Sequence, residues 1–193
     1  MSEFGYEAVR KDRGLSGKLF SAMTGRDSGV GGGVADKLRA AFGPGPRGGA
    51  VNTRAAAKAL GVSQRQVQRW ASGQAKPRSV NVDRINKVHR RAMNTKAGRR
   101  QAAAGQRQAF AKNGVRLFVS GVQGPVNQGG EYIRARKTYV DLTPEQAQQM
   151  LDAYENGGAK ATMDWMRTAW DKGYAAEWEF QSIDKMWHGP RGG

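Results

Sequence analysis

The chain has 193 residues and a mass of 21.0 kDa, which bounds it to one or two small domains. It carries 32 Lys and Arg against 16 Asp and Glu, a formal charge of +16 that suits a polyanion, nucleic acid before an anionic membrane surface. It has no cysteine and only two histidines, His89 and His188, which excludes disulfides, thiolate metal sites and Cys nucleophiles and leaves little for a His-based metal centre.

Residues 1–33 mix Gly, Ser, Lys and Arg with few apolar side chains. They are expected as a flexible basic terminus, with room for a short helix over Leu15 to Met23. Met1 to Lys11 has no apolar signal core, and no stretch approaches the roughly 20 apolar residues of a membrane span. The expectation is a soluble cytoplasmic, nucleoid-associated protein with no membrane contact. Pro44-Gly45-Pro46 breaks any helix in the Gly-rich segment that follows, and Val34 to Phe42 reads as a short amphipathic helix.

Asn52 to Trp70 fits two helices joined by a tight turn. Ala57 is the small residue needed where the helices cross, and Gly61 supplies a turn position tolerant of positive φ. Ala56, Leu60, Val62, Val67 and Trp70 are placed for a shared core. Ser63 is a natural N-cap for the second helix, with Gln66 at the reciprocal position of a capping box. The outward face is then Gln64, Arg65, Gln68, Arg69 and Ser72. Arg and Gln suit guanine and adenine edges in a major groove. Asn52 and Thr53 start the first helix, where backbone N–H groups bind phosphate. Gln74, Lys76 and Arg78 follow the second helix as backbone clamps that position without reading sequence.

Val82 to Lys112 is helix-compatible and basic, and Arg90, Arg91, Lys96, Arg99 and Arg100 extend the expected DNA footprint. Residues 1–112 hold 23 Lys and Arg against 6 Asp and Glu; residues 113–193 hold 9 against 10. The excess is therefore confined to the first part, as counterion release on a phosphate backbone requires and a uniformly solvated surface does not.

From Asn113 the pattern changes. Val115, Leu117 and Val119 alternate with Arg116 and Phe118 as a strand, Gly121 to Gly130 reads as a loop, and Tyr132 to Leu142 as a second strand. Thr143-Pro144-Glu145-Gln146 opens a helix that Asn156-Gly157-Gly158 stops. Ala159 to Lys172 reads as another helix and Ala176 to Ser182 as a third strand. The expected fold class is mixed: an N-terminal all-α helix-turn-helix domain over 34–112, with its basic helical extension, then a small ββααβ α+β domain over 113–193. The tryptophans of the second domain read mainly as core, with a nucleobase-stacking platform as the minor alternative.

No catalytic or cofactor motif stands out. Gly29 to Gly33 follows no strand, and Gly14 to Leu19 lacks P-loop spacing. Asp141, Glu145, Asp152 and Asp164 are scattered acids. Neither an enzyme, a cofactor nor a metal site is expected.

The segment from Asn52 to Trp70 with Lys76-Pro77-Arg78 resembles the telomere-protecting terminal proteins of actinobacterial linear chromosomes and plasmids. Tyr132-x-Arg134-x-Arg136 running into Val140-x-Leu142, then Gly157-Gly158-Ala159 and Trp178-x-Phe180-x-x-Ile183-Asp184, are similar in order and spacing, so the resemblance spans roughly residues 48–186. It implies binding to telomeric DNA, single-stranded or hairpin ends included, with a telomere-binding partner protein. It also implies a DNA polymerase that adds the first nucleotide to a protein hydroxyl, leaving the protein on the 5′ end. Among Ser120, Thr138, Tyr139 and Thr143, the position that matches the family's acceptor best is Ser120, where threonine is the expected residue. The rival reading is a helix-turn-helix transcriptional repressor whose C-terminal domain dimerises or binds an effector; a repressor reads a palindrome as a symmetric dimer. A plasmid-partition or nucleoid architectural protein is a third class.

Overall fold

A computed structural model describes residues 9, 12, 14–126 and 132–192. Along the chain run α1 (Leu15–Thr24), α2 (Val34–Phe42), α3 (Thr53–Leu60), α4 (Gln64–Ala71), α5 (Ser79–Asn94) and α6 (Lys96–Asn113). Then come β1 (Val115–Pro125), β2 (Arg134–Leu142), α7 (Pro144–Gly173), β3 (Trp178–Phe180) and β4 (Lys185–Gly189). The fold is mixed, helices first and a small antiparallel sheet after them, as the pattern implies. None of the described helices is long and apolar enough to cross a membrane.

Two cores organise these elements. Leu38, Val51, Ala56, Ala57, Leu60, Val67, Trp70 and Ile85 join α2 to α5 in one cluster. The helices α3 and α4 are eight residues each, too short to persist alone in water. Burying a side chain such as Val67, with no exposed surface, contributes about 1.5–3 kcal/mol and makes up the difference.

The second core lies between the sheet's inner face and α1, α6 and α7, around Leu117, Val119, Leu151, Met166 and Trp170. Two expected boundaries shift as a result. The described part of the segment expected to be flexible holds α1, whose Leu15, Leu19, Ala22 and Met23 fall on one helical face and are buried in this core. The basic extension α6 belongs to the same core through Ala103 and Phe110, not to the helical cluster before it. By packing, the division falls near Thr95, the residue shared by the end of α5 and the cap of α6. A small contact of Phe20, Ala40 and Ala102 ties the two cores together.

The ββααβ expectation is corrected at two points, the length of β1 and a fourth strand. The expected pair of helices is present as the two segments of α7, which meet at a kink where Gly158, at φ 63° and ψ −143°, leaves the helical conformation. β1 continues through Gly121 to Pro125, in place of the first half of the expected loop; residues 127–130 of that loop lie outside the described residues. A fourth strand, β4, joins the sheet. β1 pairs antiparallel with β2 along one edge, from Val115 opposite Leu142 to Gln123 opposite Arg134. Its other edge is shared end to end by β4 and β3. The passage between those two strands crosses close over Gly121, where a Cβ would lie 2.1 Å from the Ser182 carbonyl oxygen.

Candidate nucleic-acid interface

The turn between α3 and α4 is three residues long. Asn52 Oδ1 accepts from the Ala55 amide 3.1 Å away and starts α3. Gly61 ends it at φ 67°, in the left-handed region, with its N–H donating to the Ala57 carbonyl. Ser63 Oγ accepts from the Gln66 amide at 3.2 Å and starts α4. Gln66 makes no such reciprocal contact, whereas Gln146 bonds the Thr143 amide at the start of α7 and Asp36 bonds the Gly33 amide at the start of α2.

This local chemistry fixes the rotation of α4. Val67 and Trp70 turn into the helical core, at 0% and 5% exposure. Gln64, Arg65, Gln68, Arg69 and Ser72 are exposed together on the other side. The only acids between residues 34 and 95 are Asp36 and Asp83, and Asp36 is bonded to Arg39 at 2.8 Å. Guanidinium groups on α4 thus have few carboxylates to compete with a phosphate.

Two grooves flank the helix. Thr53 and Gln64 line one of about 510 Å³ together with Arg47 and Arg54, two cations that the sequence pattern alone does not place at the site. Gln64 Nε2 donates to Thr53 Oγ1 at 3.0 Å, which holds these two predicted residues together across the turn. Arg69, Lys76 and Arg78 line the second groove, of about 350 Å³. Lys76 and Arg78 are exposed, and Arg78 is the residue that precedes α5.

Other predicted features are already engaged. The Ala55 amide at the start of α3 is taken by Asn52, and the Asn52 and Thr53 amides donate to the Gly43 and Val51 carbonyls. Those three amides are therefore not free for a phosphate, and the groups lining the groove beside them are the side chains of Arg47, Arg54 and Thr53. Arg99, expected in the footprint, is buried and donates from Nε and Nη2 to the Glu155 carbonyl, at 3.2 and 2.9 Å. It joins α6 to the bend of α7, and Arg107 completes the latch with contacts to Asp152 and Glu155.

Ser120 is not beside a loop. It lies mid-way along the central strand, opposite Lys137 on β2 and Lys185 on β4, and its carbonyl accepts from the Asp184 amide at 2.8 Å. Alternation along β1 puts its half-buried hydroxyl on the sheet face away from the core. Thr138 is sealed inside: its hydroxyl bonds Gln123 Oε1 and accepts from Trp170 Nε1 at 2.8 Å. Thr143 caps α7, and Tyr139 is 44% exposed. Ser120 and Tyr139 are thus the two candidate hydroxyls on the outer face.

No protein-family model, curated protein or solved structure matches the chain.

Proposed function

We propose that this chain is a DNA-binding terminal protein of a linear replicon, with α3 and α4 acting as a helix-turn-helix on duplex DNA. The observation that carries the DNA-binding reading is the division of α4: Val67 and Trp70 held in the core, Gln64, Arg65, Gln68 and Arg69 presented together. The buried pair locks the helix, so the four polar side chains arrive at a groove already oriented. Gln68 and the two arginines read base edges; Lys76, Arg78, Arg47 and Arg54 lie where phosphates pass on either side. Gln64, tied to Thr53, keeps its amide oxygen for a donor.

The resemblance of residues 48–186 to actinobacterial terminal proteins supports the priming role, with a telomere-binding protein and a DNA polymerase as partners. In that role a protein hydroxyl attacks the α-phosphorus of a deoxynucleoside triphosphate. A protein-O–P bond forms, pyrophosphate leaves and the proton passes to the polymerase site. The polymerase's metal ions activate the hydroxyl, so no base is needed beside it in this chain. Ser120 remains the first choice of acceptor and Tyr139 the second.

The test has two arms. Arg65→Ala with Arg69→Ala is expected to cost about 1–3 kcal/mol for each base edge no longer read, measured as duplex affinity by fluorescence anisotropy. Unchanged affinity and salt dependence would overturn the assignment of α4. In the second arm, labelled nucleotide and the cognate polymerase should mark the protein, with the label lost in Ser120→Ala and kept in Thr138→Ala. Label lost only in Tyr139→Phe moves the acceptor. No label with all partners present removes the priming role and leaves a DNA-binding repressor.

A further inference from the structure

None of the described helices packs on the outer face of the sheet. α7 and α6 cover the inner face through Leu117, Val119 and their neighbours, while Arg116, Phe118 and Ser120 alternate to the other side. Strand register sets the side chains there in rows. Phe118 lies opposite Tyr139 on β2 and opposite Trp187 on β4. Ser120, one step along, lies between Lys137 and Lys185. A row of three aromatics therefore borders a Lys-Ser-Lys row.

The side chains meet as the register implies. Phe118 and Trp187 stack with centroids 5.2 Å apart and planes 7° from parallel, and Tyr139 lies 5.7 Å from Phe118. Lys137 Nζ sits 5.1 Å from the centroids of both Phe118 and Trp187, and Lys185 Nζ 5.2 Å from that of Trp187. Arg116 lies over Tyr139 at 4.3 Å, held by Asp141 at 2.7 Å. The C-terminal part is nearly neutral in total, but Asp152, Glu155, Asp164 and Asp171 ride on α7, across the sheet. The outer face keeps the lysines.

We infer that this face is a second nucleic-acid site, a stacking platform for single-stranded DNA. The Lys137 and Lys185 ammoniums lie over the rings, so an unpaired base that displaces them stacks on the aromatic row while the released lysines pair with the phosphates that link such bases. A duplex keeps its bases inside its own stack and offers nothing to such a row. Strands lie about 4.8 Å apart, so the three-strand row spans about 10 Å, enough for about two or three bases. That the polymer is DNA rests on the function proposed above; that it is single-stranded rests on the face itself. The two sites together fit a DNA end at which a duplex passes into a single strand, and Ser120 lies among the phosphate-binding lysines.

The experiment uses the full chain, a labelled oligothymidylate of about 12 nucleotides and, separately, a labelled duplex. Lys137→Ala with Lys185→Ala leaves the core intact, because both lysines are exposed. It should weaken single-strand binding and lower its salt slope by about 1.4, at roughly 0.7 for each of two phosphates no longer neutralised. Trp187→Ala should weaken it about fivefold or more, the effect expected for one stacked base. Neither should change duplex affinity. Arg65→Ala with Arg69→Ala should do the reverse. Single-strand affinity unchanged in the lysine variant overturns the platform, whatever happens to duplex binding. Duplex affinity unchanged in the arginine variant instead overturns the reading of α4 and leaves the platform standing.

Discussion

The helical cluster of α2 to α5 and the sheet with α6 and α7 treat cations in opposite ways. On α4, Arg65 and Arg69 stand exposed in a stretch with only two acids, Asp36 and Asp83. In the sheet half, four arginines are tied into the fold. Arg99 is bonded to a carbonyl, Arg107 to Asp152 and Glu155, Arg116 to Asp141, and Arg167 to Glu179 at 2.8 Å. Two basic residues of equal formal charge thus differ in what they offer a phosphate. The comparison teaches that net charge locates a binding surface only after internally paired cations are subtracted. Arg99 shows the error that follows otherwise: it sits in the most basic run of the chain and faces inward.

The sharpest way to break the comparison is through two buried tryptophans, one from each core. Trp170 has no exposed surface and also donates to Thr138, which in turn bonds the fully buried Gln123. Trp170→Ala should cost about 3–5 kcal/mol from the cavity, with a further loss because the Thr138 hydroxyl is left without its donor. Trp70, at 5% exposure, has packing alone to lose and should cost less. Both are measured by denaturant unfolding. If the halves are as distinct as their cores suggest, Trp70→Ala abolishes duplex binding at a concentration of denaturant where Trp170→Ala still binds. Equal loss of binding in both variants would mean that the Phe20, Ala40 and Ala102 contact makes them one cooperative unit.

A smaller effect separates clamps from readers. Lys76→Ala with Arg78→Ala should lower the salt slope of duplex binding by about two, at roughly 0.9 for each phosphate. It should weaken all sequences alike. A loss confined to one target sequence would make these residues readers and shift the interface from α4 toward α5.

What the sequence reveals follows from how local each determinant is. The rotation of α4 is set by Ser63, Val67 and Trp70 within one helix, so its exposed face is legible directly. The place of α1 is not. Its stripe of Leu15, Leu19, Ala22 and Met23 is visible, but its partners lie far along the chain, from Ala103 of α6 onward to α7 and β4. Gly121 and Gly124 look like loop residues and are strand residues, because a neighbouring carbonyl lies where each Cβ would be. The aromatic row is spread over three strands and emerges only once Phe118, Tyr139 and Trp187 are in register. Ser120 is reached by resemblance, while its neighbours Lys137 and Lys185 depend on that same pairing.

The smallest effect is a pH dependence that belongs to the sheet half. His188, on β4, packs edge-on against Phe110 of α6 with centroids 5.1 Å apart, and Gln106 Nε2 lies 3.1 Å from its Nε2. Burial lowers its pKa below the ordinary 6.5. With the Gln106 amide nitrogen as donor, the ring nitrogen accepts, which also requires the neutral ring. The folded state thus disfavours the proton that the unfolded chain takes up near 6.5, and the unfolded state binds more protons below that pH. The stability this provides is fully present above about pH 6.5 and falls as pH drops through the lower folded value. The depressed carboxylates Asp12 and Asp141 lose their contribution in the same direction but at more acid pH. A thermal melt between about pH 7 and pH 5 therefore samples the histidine window. Wild-type protein should lose stability over that range, and His188→Gln should lose less. Parallel curves would mean that the ring is protonated without cost. The contact between β4 and α6 would then be looser than its burial implies.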